Sequence, residues 1–440
     1  MRNRASTARR PARTAWLPFA LAAVLAGCGT SGTLQGGNDA FTATTLTVYS
    51  DLPTLGPDGA QMTAIVNGEA LALYDHAGHV GRLHVSLASL NDAAEPLVAA
   101  HPPLATDESQ TGQSAHTASS DLSTGAYIGD YSSAATAISL PLNNENDILQ
   151  ISPGSPYIGL TDANPVNAVG YPGRNYPYGA RTFARLVPSD LAEARATVSY
   201  MRSQGVRTLY LLADSDASES NLQVGFDSEI AQLVAQDASA AGITLVGRRS
   251  GIDTLAGTRP GAYASVATAV AAAHPDAVLL GGVPNAGAQA LWSELHSRLP
   301  RAKLFAPSTL ATPSFLRALA GAGGAAHATF VTSPILEPGQ YPASAQRVFA
   351  EYRRLIGAVA PTPYVLYGYE AMSDVLTAIQ RAGGYAAHRP SLAKAFFSLG
   401  EIHGVIGNYT INANGDTSLQ SFDGYRVDAA GALVLVRRIS

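Results

Sequence analysis

The 440-residue sequence predicts an α/β protein built on doubly wound parallel sheets with helices on both faces. Short apolar runs bounded by turn residues recur along the chain, and segments with helical spacing alternate with them. Residues 126–161 show the unit complete. Ala126–Gly129 and Ile148–Ile151 have the length of buried strands, and Ala134–Leu142 between them reads as a helix. A strand–helix–strand unit makes parallel strands, so the turns that follow them emerge at one carboxyl edge. Those turns are Ser132-Ser133 and Ser152-Pro153-Gly154-Ser155. Open α/β sheets bind ligands at that edge. Hydroxyls and backbone amides there predict a small-molecule site.

The other elements follow in order. Leu46–Tyr49 is a strand, Gly59–Tyr74 a helix with apolar positions at Ile65, Leu71 and Leu73, and Leu83–Leu87 a strand. Residues 102–124 are polar and predict a weak helix or an irregular connection. After the 126–161 unit come helix Ala192–Ser203, strand Thr208–Ala213, helix Val224–Ala241 and strand Ile243–Gly247. Helix Tyr263–Ala273, strand Ala277–Leu280, helix Ala286–Leu299 and strand Lys303–Ala306 continue the alternation. A helix starts over Ser314–Leu319, and Ala328–Thr332 is a strand. Ala343–Ile356 and Tyr367–Ala382 are long helices. Val405–Val436 reads as extended strands around an Asn-Gly turn at Asn414-Gly415. No repeat period implies a solenoid.

The chain opens on a targeting segment. Arg2, Arg4, Arg9, Arg10 and Arg13 precede an apolar run, Trp16–Leu25, too short to span a bilayer. It ends in Leu25-Ala26-Gly27-Cys28, which resembles the bacterial lipobox, whose cysteine is diacylated. An ordinary signal peptide with a chance cysteine is the plainer alternative. The lipobox reading makes 1–27 a removed signal peptide and 28–44 a lipidated tether, with Gly/Ser/Thr-rich Thr30–Asp39 as its flexible part. Lipid on Cys28 would anchor the mature protein to the outer side of the membrane. Cys28 is the only cysteine, so no disulfide forms within the chain. Loss of five Arg and no acid would take the formal charge from −5 to −10. An acidic protein is a poor nucleic-acid binder. About 400 residues then remain, roughly two domains' worth.

Tyr127–Thr161, YIGDYSSAATAISLPLNNENDILQISPGSPYIGLT, resembles the corresponding segment of type I periplasmic binding proteins, in their leucine/isoleucine/valine-binding branch. Further similarities keep that family's order. Thr182–Asp190 resembles the passage between lobes, and Leu209–Asp214 the first strand of lobe two. Asp276–Gly282 and Lys303–Ser308 resemble its later strands, and Tyr367–Ala371 a lobe-one helix. The resemblance implies two α/β lobes joined by three crossovers, near Phe183, Thr332-Ser333 and Val405-Gly407. Lobe one would hold 45–183 and 333–405, and lobe two 184–332 and 406–440. It also implies a ligand in the cleft, hinge closure, and service as the monomeric receptor of an ATP-binding-cassette importer, with its permease as partner and no cofactor. The work implied is binding, not catalysis.

In that family a hydroxyl in the first turn, with amides around it, holds the ligand carboxylate. Ser133 matches it, before a helix whose amino-terminus favours an anion. The alternative is that Ser133 is simply the N-cap. Tyr131 and Ser132 flank it as wall. In the second turn Gly154, Ser155 and Pro156 match ligand contacts. Branched-chain receptors have Thr in place of Pro156, and proline lacks both amide donor and hydroxyl. Ser308 stands where amino-acid receptors often carry a Glu for the ammonium group, and serine cannot neutralise a buried cation. Asp216 is the nearest substitute; a neutral ligand is the alternative. Ser218 and Gln61 fall near positions that are often aromatic in the family. The expected site is more polar and less aromatic than a branched-chain pocket. An amino acid is the default ligand, with carboxylates, amides, urea-like solutes and small peptides as alternatives.

His76, His79, His84 and Asp75 invite a metal reading, but a solvated turn explains them better. Asp190, Glu193 and Arg195 read as a solvated helix face. Motifs of hydrolases, zinc proteases and nucleotide binders are absent. A sensor of the same fold, signalling to a membrane partner, is the second reading of function. An enzyme is the third, disfavoured for want of a readable acid–base pair.

Overall fold

The computed structural model describes residues 44–93, 107–215, 221–255, 257, 259, 261–321, 324–357 and 361–439. Cys28, Asp216 and Ser218 lie outside the described residues.

The first sheet contains β1 (Thr45–Asp51), β2 (His79–Val80), β3 (Leu83–Leu90), β4 (Thr124–Gly129), β5 (Leu149–Ser152) and β6 (Phe183–Arg185), in the order β2-β3-β1-β4-β5-β6. Its pairs are parallel except for the β2–β3 hairpin. Every residue of β4 and β5 is buried, which is why both read as continuous apolar runs. The second sheet contains β7 (Thr208–Asp214), β8 (Thr244–Ile252), β9 (Ala277–Gly281), β10 (Lys303–Ala306) and β11 (Thr329–Ser333). After the small β12 (Ile402–His403) and β13 (Asn408–Tyr409) pair, the chain adds β14 (Phe422–Val427) and β15 (Leu433–Ile439). The second-sheet order is β15-β14-β11-β10-β9-β7-β8, antiparallel only at β14 and β15. The parallel strands of both sheets follow one winding, reversing direction beside β1 in the first and β7 in the second. Such reversal points are where doubly wound sheets leave a crevice.

Side chains alternate between two cores in each sheet, as strand geometry requires. Ala126 and Ile128 face the core under helices Gly59–Asp75 and Tyr364–Ala382, while Tyr127 meets Ala118 on the other side. In the second sheet Leu209 and Leu211 join one core, Tyr210 and Leu212 the other. Helices Gly59–Asp75 and Tyr364–Ala382 cross backbone to backbone. A Cβ at Gly68 would lie 2.1 Å from the Val365 oxygen, and one at Gly368 1.9 Å from that of Ile65. Only glycine allows this approach. It sets Gln61 and Tyr364, near the two amino-termini, side by side at the first sheet's carboxyl edge.

Several sequence expectations change. Residues 108–120 form a true helix, because Asp107 caps it by accepting from the Gln110 amide at 2.9 Å. The helix expected over Val224–Ala241 is two, Leu222–Ser228 and Ile230–Ala238. The helix expected from Tyr367 begins one turn earlier, at Tyr364. A further helix, Arg389–Phe397, starts on Pro390 in its first turn. Asn414-Gly415 does not join the long final strands. It belongs to a tight loop closed by an Ile411–Thr417 bridge, and the β14–β15 hairpin turns at 428–432 instead. Val405, Ile406 and Tyr409 still pack on the first core, so the chain rejoins the second sheet only at Phe422.

Arg185, at the end of β6, is fully buried. Its Nε and Nη2 donate to Asp416 Oδ1 at 2.8 and 2.6 Å. Its Nη1 donates to the Ser155 and Tyr157 carbonyls at 3.1 and 2.7 Å, and Nη2 also donates to Thr161 Oγ1. The Arg185 amide donates to the Gly415 carbonyl at 3.0 Å. Burial raises the Asp416 pKa, but the charge and hydrogen bonds of Arg185 outweigh it and hold the carboxyl below its ordinary value. Arg185→Ala should cost about 3–5 kcal/mol in urea unfolding, the usual result of stranding one partner of a buried pair. Asp416→Asn should cost less. Because the folded pKa of Asp416 is lowered, its contribution is present above the unfolded carboxyl pKa and is lost as pH falls through the folded value. Wild type and Asp416→Asn should therefore converge in stability at acidic pH.

Candidate functional site

The carboxyl edges of both sheets line one cavity of about 580 Å³. Gln61, Tyr131, Ser133, Gly154 and Tyr364 reach it from the first sheet's side, and Asp227, Ser308, Leu316 and Tyr425 from the second's.

Ser133 is buried at the start of helix Ser133–Glu145, but it is not the N-cap. That role falls to Ser132, whose Oγ accepts from the Ala135 amide at 3.1 Å. Ser133 Oγ accepts from the Tyr157 amide at 3.1 Å and so ties the first turn to the second. The next amide, Ala134, donates to Gln223 Oε1 at 2.9 Å. Gln223 Nε2 donates to Asp227 Oδ1 at 2.7 Å. One carboxamide thus spans from a helix amino-terminus to a buried carboxylate.

Gly154 packs on the first turn, where a Cβ would meet the Tyr131 carbonyl oxygen at 2.5 Å. Ser155 is buried with φ +56, and its Oγ donates toward the Asp130 and Tyr131 carbonyls at 3.0 and 3.2 Å. Its hydroxyl braces the two turns. Pro156 lines the cavity, and its carbonyl accepts from the Asp190 amide at 2.9 Å.

Asp190 and Glu193 are buried, contrary to the solvated face expected for them; of the three, only Arg195 is exposed, its side chain at 64%. The reason is that helix Asp190–Ser203 begins against the second cleft turn. The Ser308 amide and hydroxyl both donate to the Glu193 carboxylate at 2.6 Å. The acid sought at position 308 is therefore present beside it, on another element. Burial pushes Glu193 up to about 7, against the Ser308 and Thr332 hydrogen bonds. Asp190 rises to about 8 through burial and the Glu193 charge, opposed by Arg185. Glu229 rises to about 8 through burial and the Asp190 charge. Burial also raises Asp227 well above the ordinary aspartate value.

The cavity is more aromatic and apolar than expected. Tyr131 and Tyr364 meet at 6.3 Å between ring centroids, beside Gln61. Tyr425 and Leu316 line the facing wall, and Ile335 and Leu336, packed on the first sheet's core, line the cavity beside them. Gln223 and Asp227 escaped the sequence reading, although their i,i+4 spacing puts them on one helix face. Across the cleft, Asp58 accepts from the Ser314 amide at 2.9 Å and from its hydroxyl at 2.6 Å. His76 and His79 turn their Nδ1 atoms to the Ala72 and Ala77 carbonyls, and among the described residues they form no metal-type cluster with His84 and Asp75.

A family model described as "Periplasmic binding protein" matches residues 105–432. A leucine binding protein, LivK, from Thermotoga maritima is similar in structure, with TM-score 0.67 and 19% identity over 90% of this chain and 98% of that one. LivJ from Streptococcus pneumoniae, in complex with isoleucine, gives 0.66 and 14% over 89% and 99%. A solute binding protein from R. palustris, in complex with benzoate, gives 0.65 and 16% over 90% and 96%. At these identities the likeness is one of fold. No curated protein sequence matches the chain.

The buried acids set the pH dependence of stability. Asp190, Glu193 and Glu229 have raised folded pKa values, so they hold protons that the unfolded chain releases. Their neutral forms favour folding fully below the unfolded carboxyl pKa, and that advantage is lost as pH rises toward about 7–8. The urea midpoint should fall between pH 5.5 and pH 8. Asp190→Asn should flatten that fall.

Proposed function

The chain belongs to the periplasmic binding protein family, and we propose that it is an extracytoplasmic receptor for a small organic solute with a carboxylate at one end and an ammonium or amide donor at the other. It would hand that solute to the permease of an ATP-binding-cassette importer. The Gln223 bridge carries the ligand class. Its carbonyl oxygen accepts from the Ala134 amide and its NH₂ donates to Asp227. An α-amino acid offers the same acceptor and donor, each strengthened by charge. A ligand ammonium in place of the Gln223 NH₂ would favour the charged form of Asp227, giving a counter-charge at a second acid besides Glu193. Tyr131, Tyr364, Leu316 and Ile335 suit an apolar side chain.

A second reading is an aromatic carboxylate, favoured by the Tyr131–Tyr364 pair and by the benzoate found in a structural relative. Such a ligand would use the Ala134 amide and leave Asp227 aside. In either case the protein's work is binding. The lipobox supports a lipid anchor on Cys28, and no helix among the described residues is long and apolar enough to cross a membrane. A sensor of the same fold would use the same binding step.

A thermal-shift screen with leucine, glutamine and benzoate separates the readings, since a ligand of the folded state raises Tm by mass action. Asp227→Asn should weaken an amino acid by about 1–3 kcal/mol and leave benzoate unaffected. An amino-acid affinity unmoved by Asp227→Asn sinks the first reading. Ser133→Ala should lower stability as well as affinity, because it strands the Tyr157 amide.

A further inference from the structure

Asp51, Asp92 and Asp130 are far apart in sequence, and strand register explains why they meet. Asp51 ends β1 opposite Leu90 of β3 and Gly129 of β4. Asp92 follows Leu90 by two residues, and Asp130 follows Gly129 directly. All three therefore sit at the carboxyl edge where the first sheet reverses its winding. They are fully buried, and one carboxylate oxygen from each lies within 4.8 Å of the other two.

Their hydrogen bonds leave the charge unbalanced. The Tyr127 hydroxyl is 3.0 Å from both Asp51 Oδ2 and Asp130 Oδ1, yet it has one proton to give. Asp130 Oδ2 accepts from Ser139 Oγ and from Gln150 Nε2. Among the described residues, Asp51 Oδ1 and both Asp92 oxygens have no partner at hydrogen-bond distance, although Thr111 faces Asp92. Ser114, on helix Glu108–Ser120, faces Asp51. The serine is 2% exposed, and its Oγ also lacks a partner at hydrogen-bond distance. Among the described residues no Lys, Arg or His forms an ion pair with the three carboxylates. Buried carboxylates without a counter-charge are costly.

We propose that Asp51, Asp92 and Asp130, with the Ser114 hydroxyl, bind a hard divalent cation of about the size of Ca²⁺. Every donor is oxygen, the ligand type such cations take. Ca²⁺–oxygen distances of about 2.3–2.6 Å keep ligand atoms within about 5 Å of one another, and the three carboxylate oxygens meet that limit. The cation reaches the cleft through Asp130. The carbonyl of Asp130 accepts from Ser152 Oγ at 2.5 Å and Ser155 Oγ at 3.0 Å, so fixing this residue fixes both cleft turns. The proposal does not depend on which organic ligand the cleft takes.

The test uses the full chain stripped with a chelator, with no organic ligand added. Calorimetric titration with Ca²⁺ should show one equivalent bound, and Ca²⁺ should raise Tm. Tb³⁺ should give luminescence excited through Tyr127 that Ca²⁺ displaces. Asp92→Asn should weaken Ca²⁺ by about tenfold or more, as loss of a charged ligand does, whereas Asp162→Asn at an exposed carboxylate should change nothing. Should Asp92→Asn fail to fold, Ser114→Ala keeps all three carboxylates and should still weaken Ca²⁺. No heat and no Tm shift with Ca²⁺, Mg²⁺ or Mn²⁺ would overturn the site and leave protons as the neutralising charge. Ca²⁺ binding that neither Asp92→Asn nor Ser114→Ala alters would overturn it equally, by putting the ion elsewhere.

Discussion

The guanidinium of Arg185 is the point at which the cleft, the crossover and the returning chain are fastened together. Its side chain holds the Ser155 and Tyr157 carbonyls of the second turn and the Asp416 carboxylate of a loop 231 residues away. Its own amide holds Gly415. An arginine can do this because five donors leave one planar group in fixed directions. The cost of burying its charge is met by Asp416, by Thr161 and by two carbonyl dipoles. Without that fastening, the turn carrying Gly154 and Pro156 would be held to β6 only by the β5–β6 pairing and the Asp190 amide on the Pro156 carbonyl.

The rest of the site follows from two constraints. The winding of each sheet puts its crevice at a carboxyl edge, and the glycine crossing of helices Gly59–Asp75 and Tyr364–Ala382 delivers Gln61 and Tyr364 to the first of them. The turns are then braced against each other by side chains that never need to touch a ligand. Ser133 holds Tyr157, and Ser155 holds Asp130 and Tyr131. Behind them both lobes bury carboxylates, among them Asp51, Asp130 and Asp214 at the carboxyl edges and Asp190 and Glu193 in the first turn of a helix beside them. Those are the places where helix amino-termini and free backbone amides favour negative charge.

Much of this was legible in the sequence because its signals are local. β4, helix Ser133–Glu145 and β5 appear where apolar runs and the Ser-rich turns put them. The resemblance carried by Tyr127–Thr161 led to the fold. What failed was non-local. Glu193 sits on a helix whose spacing reads as amphipathic and exposed, and only its position against Ser308 and Thr332 buries it. Tyr364 brings to the cleft the aromatic ring that Gln61 lacks, from a helix more than 300 residues away in the chain. Asn414-Gly415 is a turn, as its residue types require, but the strands it joins are one residue long, because Arg185 and Asp416 hold the loop. Asp51, Asp92 and Asp130 carry no motif spacing, since strand register and not sequence distance brings them together.

Asp58 lies on the first lobe and Ser314 on the second, and the two hydrogen bonds between them contain no ligand atom. Observed affinity in a hinged receptor combines two quantities, the readiness of the lobes to shut and the grip on the solute once they have. In the proposed receptor, bonds of this latch would weigh mainly on the first. Replacing them would alter sensitivity to every solute by one common factor and leave the ranking among solutes unchanged. In the proposed receptor, choice of solute and working concentration range would thus be set largely by different residues, and evolution could adjust either while conserving the other.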